Sequence, residues 1–201
     1  PWLFLFAGVL AVGQKFAFRI NGKHIWNPAN FGIVITILLS ANAWISPGQW
    51  GSGALLVFII GSLGLAVLSK VKRLETALVF LLVFASLEYA RMILYMGWGT
   101  DVWLHKLSSG SLWLFALFMI TDPMTIPNNR TMRVIWSALV AVGAFILANF
   151  YFINAAPFWM LFFMSPLTPL FDRVGRGEVF QWLKTSKNNE LTSNSSTTII
   201  R

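Results

Sequence analysis

An acid flanked by hydroxyl side chains lies where a short apolar segment meets two prolines, at Thr121, Asp122 and Thr125. Pro123 and Pro127 stop a helix from continuing, so backbone groups are left open at that end. Carboxylate, hydroxyl and backbone carbonyl oxygens suit Na⁺ or a hydroxylated ligand that forms hydrogen bonds. The alternative is that Asp122 only caps or terminates helices at a membrane surface.

Two asparagines form a second candidate group, because Asn27 and Asn30 bracket Pro28 at the start of another apolar segment. Proline suits the first helical turn, and asparagine side chains cap the free N–H groups there. We expect both asparagines to act as caps first and as ligands second. They are predicted at the same membrane face as Asp122, which would allow the two groups to meet.

The charged residues well inside an apolar span are Glu88 and Arg91, three residues apart and therefore on one helix face. An isolated charge is costly in hydrocarbon, so an intramembrane acid and base indicate an ion or ligand pathway. The alternative is a structural pair that fixes helix packing, with the Arg91 guanidinium extended toward the outer interface.

Other chemistry finds no support in the sequence. His24 and His105 are predicted on opposite sides of the membrane, so no metal site follows from them. The chain has no cysteine, which excludes disulfides, cysteine-held iron–sulfur clusters and cysteine-type zinc sites. It also lacks a nucleophile–base pair, a phosphate loop and a dinucleotide fingerprint, so no self-contained hydrolytic or nucleotide-driven catalytic site is predicted.

The elements that must position these residues are predicted to be membrane-spanning helices. Hydrophobic residues make up 57% of the 201 residues and charged residues 11%, in apolar runs that polar clusters separate. This composition is typical of an all-α, polytopic transmembrane protein that contacts the lipid bilayer. The net charge of +8 comes from small basic groups at the ends of the runs. The cytoplasmic bias of basic residues explains it, so nucleic acid is not an expected partner.

Seven segments are predicted within a transmembrane domain of residues 1–173. Their bounds are about 1–13, 28–45, 54–69, 76–96, 108–121, 133–153 and 157–171. Basic connections put the C-terminus in the cytoplasm, with 174–201 as a largely disordered tail. The segments 108–121 and 157–171 are short for a bilayer of about 30 Å, which indicates interrupted helices or boundary error. Because Pro1 lies inside an apolar run, we expect a preceding part to be missing.

Three stretches resemble the NqrB/RnfD family of membrane proteins. They are Gly22–Gly32 with its Asn-Pro pair, Leu117–Thr125 with its Asp-Pro pair, and the last span Pro157–Asp172. Around the Asn-Pro pair and Ser46–Gly51, the chain is similar to the shorter family members associated with enediyne biosynthesis. The resemblance implies a ten-helix, urea-channel-like fold in which three helices precede residue 1. It also implies that the chain is related to membrane subunits of the Na⁺-translocating NADH:quinone reductase and of Rnf electron-transport complexes.

The chain departs from that family in one external loop. Members with covalent FMN attach it to a threonine in a Ser-Gly-Ala-Thr-like motif of a long loop, whereas the loop here, Ser46–Gly53, is short and has no threonine. Covalent FMN is therefore not expected. The resemblance leaves a noncovalent flavin, riboflavin or FMN, or a quinone as the cofactor near Asp122.

Three functions remain open on the sequence alone. The first is an integral membrane subunit that is accessory to redox-linked electron or ion transport in the bacterial inner membrane, with other membrane subunits as partners. The second is a channel or carrier for a small solute or ion, with no redox role. The third is a structural or assembly subunit of a membrane complex.

Overall fold

The computed structural model describes residues 1–46 and 54–180, and most of them are helical. The helices are α1 (Trp2–Ala17), α2 (Pro28–Leu39), α3 (Ala54–Val71), α4 (Leu74–Tyr89), α5 (Thr100–Leu107), α6 (Gly110–Leu114), α7 (Arg130–Asn149), α8 (Ala156–Met164) and α9 (Thr168–Val174). π-Helical turns continue α4 through Ala90–Tyr95 and α6 through Phe115–Met119. A 3₁₀ turn, Ser165–Leu167, joins α8 to α9, and a hairpin of β1 (Arg19–Ile20) and β2 (Lys23–His24) follows α1.

The outer surface of the helices is strongly apolar. Within the described ranges, Leu74–Tyr95 and Arg130–Asn149 are long and apolar enough to cross a membrane, and shorter apolar helices accompany them. Large side chains such as Phe4, Leu55 and Leu82 are 65% to 84% exposed. Such a surface suits hydrocarbon rather than water. The chain is an all-α, polytopic membrane protein, as the sequence predicts; the number of spans and the division at residue 173 stay predictions.

The core lies between α4, α6, α7 and α8. Trp136 of α7 is completely buried, and so are Phe80, Phe115 and Leu161 from the three helices around it. The rings of Phe80 and Phe115 are tilted against each other with their centres 5.1 Å apart. Because lipid is as apolar as these side chains, their contacts stabilise the bundle mainly through close packing.

α1 and α2 approach each other backbone to backbone. A Cβ atom on Gly32 would lie 2.4 Å from the carbonyl oxygen of Ala7, so this contact requires glycine. At the other end of the pair, the Gln14 amide donates to the Trp26 carbonyl at 3.0 Å. The Trp26 indole stacks on Phe162 of α8 and donates to its carbonyl oxygen at 2.9 Å. These contacts hold the start of α2 against the last helices of the chain.

Two helix bounds differ from the predicted ones because of local polar chemistry. α2 ends at Leu39, short of residue 45, because Ser40 is extended and its hydroxyl accepts the N–H of Asn42 at 3.2 Å. The predicted external connection 97–107 contains α5, with Asp101 in its first turn and basic side chains in its last. That arrangement of charges favours a helix through its dipole.

The last predicted span, 157–171, is divided between α8, the 3₁₀ turn and α9. Pro166 and Pro169 interrupt it, since each removes an N–H donor from the helical ladder. This segment is therefore an interrupted helix, which is one of the two explanations given for its short length. Beyond α9, the Arg176 carbonyl accepts a bond of 3.2 Å from Asn129. The predicted external loop 47–53 and residues 181–201 of the predicted tail lie outside the described residues.

Candidate functional site

A tight hairpin after α1 brings two polar side chains into the end of the helix bundle. Its turn residues Asn21 and Gly22 have φ of 52° and 80°, the left-handed conformation that Asn-Gly adopts in two-residue hairpins. The next two residues, Lys23 and His24, are only 7% and 8% exposed. The sequence indicated neither Lys23 nor His24 as part of a site, since His24 was considered only as a metal ligand. The sequence signal for the hairpin was the Asn21-Gly22 pair between two short runs in which polar and apolar residues alternate.

Lys23 is the centre of the first part of the cluster. Its Nζ donates to the Ile126 carbonyl at 2.6 Å and to Asn128 Oδ1 at 3.1 Å, and it lies 3.1 Å from Asp172 Oδ2. The other oxygen of Asp172 accepts the Asn128 N–H at 2.7 Å. Burial lowers the pKa of Lys23 below its usual value, and the negative charge of Asp172 offsets part of that effect.

Asp122 is the centre of the second part. Its Oδ2 lies 3.2 Å from His24 Nε2 and accepts from Asn27 Nδ2 at 3.3 Å. Its Oδ1 accepts the Met124 N–H at 3.1 Å, and its backbone carbonyl accepts both the N–H and the hydroxyl of Thr125. Asp122 thus both closes the turn after the α6 segment and joins three separate parts of the chain. The two predicted groups, Asn27 and Asp122, are in direct contact.

Asn30 is the polar group in this region with the fewest contacts. It is completely buried, and its backbone N–H donates to the capping Asn27 Oδ1 at 3.1 Å. Its own side-chain oxygen and nitrogen contact no hydrogen-bonding partner in the structure. An unpaired buried amide costs about 1–3 kcal/mol. The Asn30 amide therefore has hydrogen-bonding capacity that the described residues do not use.

The two predicted threonines differ in what their hydroxyls can do. The Thr121 hydroxyl donates to the Leu117 carbonyl one helical turn back at 2.7 Å. Thr125 bonds to Asp122, and its carbonyl oxygen accepts the Thr168 hydroxyl at 2.9 Å. Thr125 therefore contributes to the cluster, whereas Thr121 mainly completes the end of its own helix.

A cavity of about 200 Å³ opens between the hairpin and α9. Its polar lining includes Lys23, His24, Thr125, Thr168 and Asp172. Cavities that bind drug-sized organic ligands usually enclose about 300–1,000 Å³. A volume of about 200 Å³ is below that range and is sufficient for an ion or a small polar solute.

The predicted charged pair inside a span, Glu88 and Arg91, does not form as the sequence suggests. Glu88 is completely buried, its Oε2 lies 2.7 Å from Lys106 Nζ of α5, and its Oε1 accepts from Asn149 at 2.8 Å. Arg91 instead lies over the ring of Phe150, 5.1 Å from its centre. The predicted pairing of Glu88 with Arg91 is wrong.

The π turn that follows α4 explains this difference. The three-residue spacing places two side chains on one face only in a regular α-helix, and Arg91 lies inside the wider turn Ala90–Tyr95. The true partner Lys106 comes from α5, which sequence analysis took as an irregular connection. The sequence signal for α5 was an acid, Asp101, in its first turn and two basic residues, His105 and Lys106, in its last turn.

Comparison with known proteins places the chain in a family. A sequence model of the NQR2, RnfD, RnfE family matches residues 38–181. The chain belongs to this family. It is similar to a protein of Stutzerimonas stutzeri that is named as one subunit of an ion-translocating oxidoreductase complex, with 32% identity over 144 residues. These residues are 71% of this chain but 40% of that protein, so the chain spans about two fifths of the relative's length.

The part of the chain that matches the NQR2, RnfD, RnfE family does not include the whole cluster. Asp122, Thr125 and Asp172 lie within the matched residues, as does Glu88. The hairpin and the start of α2 precede residue 38. The positions of Lys23 and His24 in the cluster therefore follow from their contacts, independently of the family match.

Proposed function

We propose that the chain is a membrane subunit of an ion-translocating oxidoreductase complex in the bacterial inner membrane. Its membership of the NQR2, RnfD, RnfE family supports this proposal, and the similar protein from Stutzerimonas stutzeri is named as part of such a complex. In this proposal its partners are the other membrane subunits of the complex. Its role is accessory, because redox cofactors held elsewhere in the complex carry the electrons.

Within this role, we assign the cluster around Asp122 to an ion or a small hydrogen-bonding ligand. The observation that carries the assignment is the completely buried Asn30 amide, which has no hydrogen-bond partner in the part of the chain that the structure describes and is connected to Asp122 through Asn27. Asn27, Asp122 and Thr125 supply further oxygens, and Thr121 shapes the helix end. Lys23 adds a positive charge near the cluster, and the His24 imidazole adds a hydrogen-bonding nitrogen beside Asp122.

The orientation follows from where the basic residues meet. Lys23 pairs with Asp172 and Arg133 pairs with Glu75, so the connections after α1, α3 and α6 and the end of α9 lie at one end of the bundle. Basic residues are retained on the cytoplasmic side of bacterial membranes. We therefore assign this end, with the C-terminal residues, to the cytoplasm.

Covalent FMN has no part in the proposed function, since the short external loop has no threonine. The cavity beside the cluster, about 200 Å³, is smaller than the cavities that usually hold drug-sized ligands such as a noncovalent flavin. A flavin or a quinone in the working complex is therefore expected at another place in the assembly. An absorption spectrum and an intact mass of the purified protein test this directly.

The decisive experiment measures redox-driven ion transport by the complex in liposomes. We expect Asp122→Asn to lower transport at least tenfold while the complex still assembles. The matched control is Asp101→Asn, an exposed acid on α5 at the opposite end. Unchanged transport in Asp122→Asn would overturn the assignment of the cluster.

The broken last span supports a second candidate, a channel or carrier for a small solute or ion without a redox role. Interrupted helices border the binding sites of many transporters, and α8 and α9 form such a break. Flux through liposomes that contain only this chain, independent of redox state, would favour this candidate. A chain that is inert alone but copurifies in a fixed ratio with other subunits would instead be a structural or assembly subunit.

A further inference from the structure

A second polar cavity, larger and strongly basic, lies at the same end of the bundle. It encloses about 980 Å³ where α3 ends and where α4 and α7 begin. Five cationic side chains line it: Lys70, Lys72, Arg73, Arg130 and Arg133. Among the described residues its lining includes one carboxylate, Glu178. The cavity therefore carries a local excess of positive charge that the proposed ion site does not use.

The turn between α3 and α4 carries two of these cations, and one of them has an unusual backbone conformation. The turn consists of Lys72 and Arg73, and Lys72 has φ of 55°, a left-handed conformation that glycine and asparagine adopt more easily. Strained positions of this kind often occur where a ligand is bound. This turn, in which the Arg73 N–H donates to the Leu68 carbonyl at 3.4 Å, places both side chains in the lining of the basic cavity.

Arg73 has no carboxylate partner among the described residues. The nearest acid in sequence, Glu75, accepts from Arg133 Nε at 3.0 Å and is used in that pair. The Nε of Arg73 is buried without a hydrogen-bond partner, and its guanidinium lies 5.7 Å from the centre of the Phe180 ring. Burial lowers the pKa of Arg73, and the positive charge of Arg133 lowers it further. A bound anion would relieve both effects.

Two further features favour an anion at this place. The N-terminal ends of α4 and α7 border the cavity, and helix N-termini attract negative charge. The segment after α9 closes one side, because a Cβ on Gly177 would lie 2.7 Å from the backbone of Asn128 and Asn129. The cavity thus has a built wall and is more than a patch of scattered surface lysines.

We propose that this cavity binds the phosphate headgroup of an anionic phospholipid. A lipid is favoured over a soluble phosphate because the cavity lies where three apolar helices end, at the level of the headgroups. The last turns of α3 expose Leu65 and Val67 beside it, which can pack against acyl chains. Basic cavities between helices on the cytoplasmic side suit such headgroups. The proposal depends on the assigned orientation and on no part of the redox role.

The test measures lipid binding by the purified 201-residue chain in detergent. Phosphatidylglycerol is titrated while thermal unfolding and lipid-bound mass are recorded, with phosphatidylcholine and inorganic phosphate as the comparison ligands. We expect phosphatidylglycerol to raise the unfolding temperature well above the effect of either comparison ligand. An equal effect of inorganic phosphate would overturn the lipid assignment, and an equal effect of phosphatidylcholine would overturn the requirement for an anion.

Variants then test whether the named cations form the site. Lys72→Asn keeps a residue that accepts the left-handed conformation but removes the charge, and Arg73→Gln removes the guanidinium that has no carboxylate partner among the described residues. Each cation near an anionic surface contributes about a fivefold gain in affinity, so the double variant should bind phosphatidylglycerol roughly 25-fold more weakly. Arg73→Lys should retain most of the binding.

The matched control is Lys15→Gln, an exposed cation in the last turn of α1 that does not line the cavity. It should bind phosphatidylglycerol as the unmodified chain does. If the double variant does not fold, the exposed Lys70→Gln should still weaken binding about fivefold. Wild-type binding in the folded double variant or in Lys70→Gln, or an equal loss in Lys15→Gln, would overturn the proposal.

Discussion

The Nζ of Lys23 lies 3.1 Å from Asp172 Oδ2, although 149 residues separate them in sequence. This pair joins the hairpin after α1 to α9, the last helix among the described residues. It also encloses the cavity beside Asp122, because both side chains line it. The integrity of the proposed ion site therefore depends on a contact between distant parts of the chain.

Removing the acid of this pair should destabilise the protein. In Asp172→Asn the Lys23 charge stays buried without its counter-ion, a change that costs about 3–5 kcal/mol at fully buried sites. Because the Asp172 side chain is 20% exposed, we expect a loss of about 2–3 kcal/mol, measured by denaturant unfolding in detergent. Arg173→Gln, at the exposed neighbouring position, is the control. Equal unfolding free energies for the two variants would contradict the prediction.

The pH dependence of stability should reveal the same lysine. The pKa of Lys23 in the folded chain is lowered from about 10.5 by burial. Between the lowered value and 10.5, the unfolded chain binds more protons at this residue than the folded chain, so the free energy of unfolding rises with pH in that window. Thermal unfolding across this pH range should show the rise in the natural chain and a smaller one in Lys23→Met. A steeper rise in Lys23→Met would refute the expected sign.

A double-mutant cycle can distinguish the observed partner of Glu88 from the predicted one. Lys106→Met leaves the completely buried carboxylate without its cation, so Glu88→Gln and Lys106→Met should show a coupling energy above about 1 kcal/mol. The matched cycle of Glu88→Gln with Arg91→Gln should show a coupling below about 0.5 kcal/mol. Unfolding measured in the same detergent gives both values. A larger coupling to Arg91 would restore the pairing that the sequence suggests.

Asn30 should show opposite effects on stability and on function. Because its buried amide has no partner among residues 1–46 and 54–180, Asn30→Leu should leave the free energy of unfolding unchanged or raise it by about 1–2 kcal/mol. Transport by the assembled complex should nevertheless fall at least tenfold. Thr36→Val removes another unpaired buried group on the same helix and should leave transport intact. Normal transport in Asn30→Leu would remove the observation that carries the proposed site.

The sequence predicted part of this site for definite physical reasons. Proline after an asparagine and proline after an aspartate mark helix breaks, so Asn27 and Asp122 could be found from local chemistry. The contribution of Lys23, His24 and Asp172 could not be found in this way. The partners of Lys23 and His24 lie 98 to 149 residues away, and Asn128 lies 44 residues from Asp172; no local pattern encodes which loops meet at one end of a bundle.

The fold class was predictable because hydrocarbon leaves few choices to an apolar chain. Every backbone group must be satisfied within a span, so long apolar runs become helices. The exact helical geometry was less predictable. Nothing in the composition of 90–95 or 115–119 separates a π turn from an α turn, and the error over Arg91 arose there.

The two π turns also alter how mutational data on these helices should be interpreted. In α4 the Met96 N–H donates to the Arg91 carbonyl, and after α6 the Ile120 N–H donates to the Phe115 carbonyl, each five residues back. Each π turn holds about one residue more than an α turn. In a scan of substitutions along either helix, the periodic pattern of sensitive positions should therefore shift near Ala90 and near Phe115. A single helical wheel would assign the later positions to the wrong face.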